Sequence, residues 1–217
     1  MRACTFPGQG AQACGMGKDL ADAYPAARDV FREVDDALGE DLSDLMWNGE
    51  LDALTLTANT QPALMAHSVA AMRALEAEFK ISPTEAAYVA GHSLGEYSAL
   101  VSAGALGVAD AAKLLRIRGN AMQSAVAPGE GAMAALLGAT VEQAEAACEA
   151  GRAEGGVCEI VNYNASGQIV LSGTKAAIDL ACAASRDIGI KKAMALNVSA
   201  PFHCSLMSPA ADAMAEA

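Results

Sequence analysis

The sequence predicts an α/β fold in two parts, a large subdomain built on a parallel sheet and a smaller inserted one of βαββαβ order. Three observations carry this. Apolar residues make up 53% of the chain and aromatic ones only 4%, which suits a core of Ala, Val, Leu, Ile and Met between helices and a sheet. A strand, a glycine turn and a helix follow one another over residues 86–103, the order in which a parallel sheet presents chemistry. From residue 132 on, the pattern runs strand, helix, strand, strand, helix, strand, the ferredoxin-like order. At 217 residues the chain can bury roughly 70% of its unfolded surface, enough for one sizeable domain or one and a half unequal ones.

The elements follow in order. An apolar start over residues 3–6 stops at Pro7-Gly8-Gln9-Gly10, a strand entering a glycine-rich loop. Apolar residues at helical spacing predict a helix over 25–38. Asn59-Thr60-Gln61-Pro62 reads as a capped start, with an early Pro, of a long helix to about Phe79 that Ile81-Ser82-Pro83 ends. Residues 86–90 predict a short buried strand, 91–95 a turn, 96–103 a helix and 108–123 another helix. Pro128-Gly129-Glu130-Gly131 marks the subdomain boundary. The smaller subdomain is expected to hold strands at 132–137, 157–163, 168–173 and 190–196 with helices at 140–150 and 174–187. A loop over 197–203 leads out of it, and a helix begins near Cys204. The expected division is thus 1-128 with 201-217, against 129-200. The chain closes at Ala217 inside that last helix, without a cap or a final strand, and so reads as incomplete.

Composition excludes several functions. A formal charge of −12 argues against nucleic acid, whose phosphates need a surplus of Lys and Arg. No stretch reaches the ~18 apolar residues of a membrane helix, and no leader precedes the first motif, so a soluble, unprocessed cytoplasmic protein is expected. The six cysteines are scattered without CxxC spacing and read as reduced thiols. Zinc is not expected, because His67 and His92 have no Cys or second His at ligand spacing and His203-Cys204 is a lone adjacent pair.

The chemistry centres on Gly91-His92-Ser93-Leu94-Gly95. A Ser hydroxyl is a weak nucleophile and needs a base, exposure and donors for the oxyanion. Gly-x-Ser-x-Gly between strand and helix lets the backbone turn sharply, so that Ser93 stands at a helix N-terminus with the Leu94 N–H aimed at the reacting oxygen. The alternative is a glycine-flanked Ser that merely caps the helix. Of three histidines, His67 lies inside a predicted helix, and His92 points away from its neighbour on a tight turn. His203, on a loop after a predicted strand, is the favoured base over both.

At this point the residues resemble the malonyl-CoA:acyl carrier protein transacylases and the related acyltransferase domains of polyketide synthesis. The resemblance rests on Phe6-Pro7-Gly8-Gln9-Gly10-Ala11-Gln12, Thr60-Gln61-Pro62-Ala63-Leu64, and Gly91-His92-Ser93-Leu94-Gly95-Glu96-Tyr97-Ser98-Ala99-Leu100. Arg118-Gly119 with Met122-Gln123, Gly131-Ala132-Met133-Ala134-Ala135, Asn162-Tyr163-Asn164 with Gln168, and Pro201-Phe202-His203 complete it. It implies an α/β-hydrolase-like large subdomain and a ping-pong mechanism. Ser93 would take malonyl from malonyl-CoA and pass it to the phosphopantetheine thiol of acyl carrier protein, with His203 as base and then acid. Gln9 and Leu94 would supply the oxyanion N–H groups, and Arg118 would grip the free malonyl carboxylate bidentately. Phe202 and Met122 would narrow the pocket toward malonyl; the alternative is that both fill core, as Arg118 taken alone would be an exposed helix charge. Asn162 and Asn164 would shape the cleft. No cofactor or metal is implied, and a monomer is expected.

The carrier protein of such a pathway is acidic, so docking needs a local basic patch on this acidic chain. Lys175, Arg186, Lys191 and Lys192 are the candidates, with solvated surface charge as the alternative. Family members continue past the His203 loop, and a polar segment from that region orients the catalytic His. Ser166 stands where the family commonly has Pro. Two competing readings remain at this level: a serine esterase or thioesterase that shares the turn motif, and a truncated, inactive product or binding module.

Overall fold

The computed structural model describes residues 1–217 except Asn197 and Ser199. By its internal contacts the chain divides into two units, Met1–Asn120 with Ala217, and Ala121–Glu216.

The first unit opens on β1 (Ala3–Phe6), which pairs in parallel with β2 (Tyr88–Gly91) from Ala3 opposite Tyr88 to Phe6 opposite Gly91. The remainder is helical: α1 (Lys18–Ala23), α2 (Pro25–Leu38), α3 (Leu42–Asn48), α4 (Leu51–Thr55), α5 (Thr57–Phe79), α6 (Gly95–Ser102) and α7 (Val108–Ser124), whose last residues belong to the second unit. In α2 the buried residues Ala27, Val30, Phe31 and Val34 fall at i, i+3, i+4 and i+7, the stripe that packs one helix face on a core. They meet Leu42, Met46, Leu54, Met65 and Leu115, and the Phe31 and Trp47 rings pack edge to face at 5.5 Å.

Helix α5 is buried on nearly every side of its first four turns, which is why its sequence lacks a polar face. It begins at Thr57, two residues before the expected start at Asn59, with Leu56 at the cap. Pro62 therefore lies inside the helix. A Pro there removes the amide that would serve the carbonyl four residues back, and the Ala58 carbonyl instead accepts from Arg116 Nη1 at 2.8 Å.

The strand expected as buried over 86–90 is also corrected. β2 spans Tyr88–Gly91 and its side chains are exposed or half-buried, Tyr88 at 68%. Among the described residues it pairs only with β1, so an apolar run that reads as a buried strand has a neighbour on one edge alone.

The second unit holds β3 (Gly131–Leu137), α8 (Val141–Gly151), β4 (Cys158–Ala165), β5 (Gln168–Thr174), α9 (Lys175–Ala184), β6 (Lys192–Ala195) and α10 (Ser208–Glu216). Its sheet order is β4-β5-β3-β6 with every pair antiparallel, the topology the βαββαβ pattern predicts. Period-two alternation gives the sheet two apolar faces. Ala134, Leu136, Ile169 and Leu171 meet Ala144, Ala147, Ile178 and Ala181 of α8 and α9. Met133, Ala135 and Val170 meet Met122, Ala200, Phe202, Met207 and Ala210. A capping box starts α8, with Thr140 and Gln143 exchanging side-chain to backbone bonds at 3.2 and 2.9 Å.

The observed division differs from the expected one at both ends. It cuts inside α7 at Asn120, and residues 201–216 group with the second unit, because Phe202, Met207 and Ala210 bury themselves on the second face of its sheet. Part of the loop expected over 197–203, Asn197 and Ser199, lies outside the described residues.

Candidate active site

The turn after β2 is shaped by two close approaches. A Cβ on Gly91 would stand 1.9 Å from the Gly95 carbonyl carbon, and one on Gly95 would stand 2.5 Å from the Phe6 carbonyl oxygen. No side chain fits at either place. Between them Ser93 takes a left-handed φ of 54°, a conformation that costs a residue other than Gly about 1–3 kcal/mol. Such strain persists where surroundings over-determine it, and here they do. The His92 N–H donates to the Phe6 carbonyl at 3.0 Å, Gly95 N–H to His92 at 2.9 Å and Glu96 N–H to Ser93 at 3.1 Å. Leu94 is buried at 1% exposure, while Ser93 stays half-buried, open enough to react.

Arg118 reaches this serine from α7. Its Nη2 donates to Ser93 Oγ at 3.1 Å and its Nη1 to Gln61 Oε1 at 2.6 Å, with the guanidinium 6.0 Å from the Tyr97 ring centre. Because Ser93 Oγ accepts this bond, its own proton stays available for a base. The delivery depends on the next residue: a Cβ on Gly119 would fall 2.6 Å from the Ala58 Cα and 2.8 Å from the Thr57 carbonyl oxygen, so only glycine lets α7 approach α5 this closely. Burial lowers the Arg118 pKa, and Tyr97 and Glu96 work against that shift; a guanidinium remains charged in such surroundings. The result is a fixed positive fork beside a strained serine.

The Gln9 side chain donates to Thr57 Oγ1 at 3.3 Å, and Thr57 is itself fully buried. A Cβ on Gly8 would strike the exposed His92 ring, 2.5 Å from Nδ1, so the loop after β1 lies flat on His92. Among the described residues, neither the Gln9 nor the Leu94 N–H is given to a backbone acceptor. Ser93, Leu94, Gln9 and Arg118 thus stand in one unit on mutually braced elements.

His203, Phe202 and Met122 belong to the second unit. His203 is exposed and left-handed, with φ 67°. Pro201 before it packs where a Cβ on Gly131 would lie 2.3 Å from the ring, and Cys204 Sγ donates to the Pro201 carbonyl at 3.2 Å. Phe202 and Met122 are each 6% exposed and share one apolar cluster, which gives both a packing role in the core. Asn162 and Asn164 lie on β4. His67 sits in α5 with a buried Nδ1 that has no hydrogen-bond partner, and burial lowers its pKa. Among the described residues no group of three or more His, Cys, Asp or Glu is placed to hold a metal ion. The basic patch is divided: Lys192 stands opposite Leu137 at one end of β3, whereas Lys175 follows Thr174, which pairs with Gly131 at the other. That separation is about 20 Å along the strand, and Lys175 is paired with Asp179 at 2.6 Å.

Sequence reasoning gave Gln61 no role. The available signal was a carboxamide, which must find a partner when buried, directly before the apolar run Pro62-Ala63-Leu64-Met65-Ala66; at 1% exposure Gln61 does so at Arg118.

The chain matches the family described as acyl transferase domain over residues 4–217. It is 46% identical over 211 residues to the malonyl CoA-acyl carrier protein transacylase of Bacillus subtilis, covering 97% of this chain and 65% of that protein. Among solved structures, the acyl-carrier-protein-S-malonyltransferase of Bartonella henselae is 55% identical with a TM-score of 0.94, covering all of this chain and 69% of that one. A malonyl-transacylase in complex with its type II PKS acyl-carrier protein is 44% identical with a TM-score of 0.93, covering 99% and 68%. The chain thus spans about two thirds of the length of these relatives. Among the described residues no helix is long and apolar enough to cross a membrane.

Proposed function

The chain belongs to the acyl transferase domain family, and on that premise we propose that it transfers malonyl from malonyl-CoA to the phosphopantetheine thiol of an acyl carrier protein. The observation that carries this reading is the Arg118 fork, shared between Ser93 Oγ and Gln61 Oε1. A guanidinium beside the nucleophile selects an acyl group that ends in a carboxylate, because any other leaves the buried charge without a counter-ion. Relatives named for malonyl transfer, one of them solved with its acyl-carrier protein, support the same substrate and partner.

In the proposed reaction Ser93 Oγ attacks the thioester carbonyl while His203 takes its proton. The oxyanion is received by the N–H groups of Gln9 and Leu94. Collapse expels the CoA sulfur, which takes the proton back from His203, and leaves malonyl as an ester on Ser93. The carrier thiol then gives its proton to His203, attacks the ester, and Ser93 recovers its proton. Arg118 holds the malonyl carboxylate through both halves, exchanging its serine and glutamine acceptors for the two carboxylate oxygens. The reading needs no cofactor and carries with it a cytoplasmic, monomeric enzyme. Met122 and Phe202 act on size selection as the packed wall behind the His203 loop.

Intact mass after brief exposure to malonyl-CoA tests the proposal, with Ser93→Ala as the control. One malonyl increment on the unmodified chain, absent in the variant and discharged by acyl carrier protein, is expected. Rapid loss of the adduct to water without a thiol acceptor would instead identify a hydrolase, and no adduct on a folded chain would reject the enzyme reading.

A further inference from the structure

The segment that carries His203 is gripped from β4. Glu159 takes both donors of Ser205: Oε2 accepts its backbone N–H at 2.9 Å and Oε1 its hydroxyl at 2.6 Å. Alternation along β4 explains the aim. Cys158 and Ile160 pack with the cluster under α8 and α9, whereas Val161 packs with Phe202 and Met207, so Glu159 is turned to that second face. Its place opposite Ser172 of β5 holds it in the ladder.

His203 lies two residues before Ser205, at φ 67°. A left-handed residue other than glycine persists where its surroundings hold it. The preceding flank is fixed by packing, with Pro201 wedged against Gly131 and Phe202 buried. The following flank enters the helical turn Ser205–Met207, whose first N–H groups have no helical acceptor. A carboxylate gives each of the two donors its own charged oxygen, whereas a carboxamide has one neutral acceptor oxygen for both.

We infer that Glu159 is a positioning residue for His203, acting through Ser205 to hold the loop in the left-handed turn that presents the imidazole. The inference rests on the reading of His203 as the base. Rapid-quench measurement of malonyl uptake tests it in the wild-type chain, Glu159→Ala, Glu159→Gln and Ser205→Ala, alongside thermal unfolding and amide hydrogen exchange. Misplacing a reacting group by about 1 Å costs on the order of 100-fold. Glu159→Ala should therefore lower kcat about 10- to 100-fold with the KM for malonyl-CoA unchanged. Glu159→Gln should recover part of the loss, since its carbonyl oxygen still serves the Ser205 N–H, and Ser205→Ala should fall between. Exchange should rise over residues 203–207 and stay unchanged in β4. Uptake by Glu159→Ala at the wild-type rate would overturn the inference alone, as would equal losses in all three variants with a general fall in Tm. A wild-type chain that takes up no malonyl would overturn the parent reading and the inference with it.

Discussion

Arg116 Nη1 donates to the Ala58 carbonyl at 2.8 Å, supplying from another helix the bond that Pro62 cannot. The same side chain, 16% exposed, reaches Asn59 Oδ1 at 2.6 Å and Glu40 Oε2 at 2.8 Å. It therefore anchors the first turn of α5, where Thr57 accepts from Gln9, just ahead of Gln61, which accepts from Arg118. Arg116→Met leaves the carbonyl unsatisfied and should cost about 1–3 kcal/mol, read as a Tm lower by roughly 2–4 °C per kcal/mol at this size. In a Pro62→Ala background the restored amide takes the carbonyl, so the same change should cost less. Equal costs in both backgrounds would show that the contact is dispensable.

Ser93 stores backbone strain that is separable from its chemistry. Ser93→Ala and Ser93→Gly both lose the hydroxyl and the Arg118 contact, but glycine has no Cβ to meet the carbonyl and so adopts the φ of 54° without strain. Ser93→Gly should be more stable than Ser93→Ala by about 1–2 kcal/mol in urea unfolding, with neither acquiring malonyl. Identical midpoints would remove the strain argument.

The second unit was legible because alternation and helical spacing each repeat there, and the two faces of its sheet follow directly from residues such as Met133 and Ala134. The start of α5 was not. Asn59-Thr60-Gln61 before Pro62 looks like a polar cap before an early proline, yet the Asn59 side chain turns back to the Ala53 carbonyl at 2.9 Å and a distant arginine serves the helix. Local sequence cannot announce a donor that arrives from another element. Ser93 was legible for the opposite reason, since the close approaches that demand glycine lie two residues on either side of it. Gln61 became interpretable only once Gly119 had brought Arg118 against it.

His67 should make stability depend on pH. Burial holds its folded pKa below the ordinary value of 6.5, so the unfolded chain binds its proton more readily. The contribution is fully present above about pH 6.5 and is lost as pH falls through the unfolded value toward the folded one. Unfolding free energies of the wild-type chain and His67→Gln, compared at pH 8 and pH 5.5, check this. The wild type should lose more on acidification, and because His92 and His203 are common to both, the difference isolates His67. Parallel losses would place the pH dependence elsewhere.

Carrier docking, on the proposed function, divides the basic residues as the structure does. Lys191 and Lys192 are exposed at one end of the sheet, while Lys175 stands at the other beside Asp179. Charge reversal at Lys191 and Lys192 together should raise the KM for acyl carrier protein several-fold without changing malonyl uptake, and the effect should shrink with added salt. Reversal at Lys175 should do neither. An unchanged KM in the double variant would remove this surface from docking.

Arg118→Ala separates substrate choice from nucleophilicity. The fork it removes lies within hydrogen-bond reach of Ser93 Oγ and Gln61 Oε1, so the variant keeps the strained turn and loses the counter-ion. Malonyl uptake should fall by about 100-fold or more, the equivalent of a charge-assisted contact of roughly 3 kcal/mol. Acetyl uptake should fall less or rise, because a monocarboxylic acyl group no longer buries an unpaired guanidinium. Arg118→Lys should recover only part of the malonyl rate, since an ammonium cannot meet two carboxylate oxygens in one plane. Competition between malonyl-CoA and acetyl-CoA, read by intact mass on the same sample, gives the ratio directly. A ratio unchanged from wild type would mean that Arg118 serves the serine and not the acyl carboxylate, and the substrate reading would have to move to another residue.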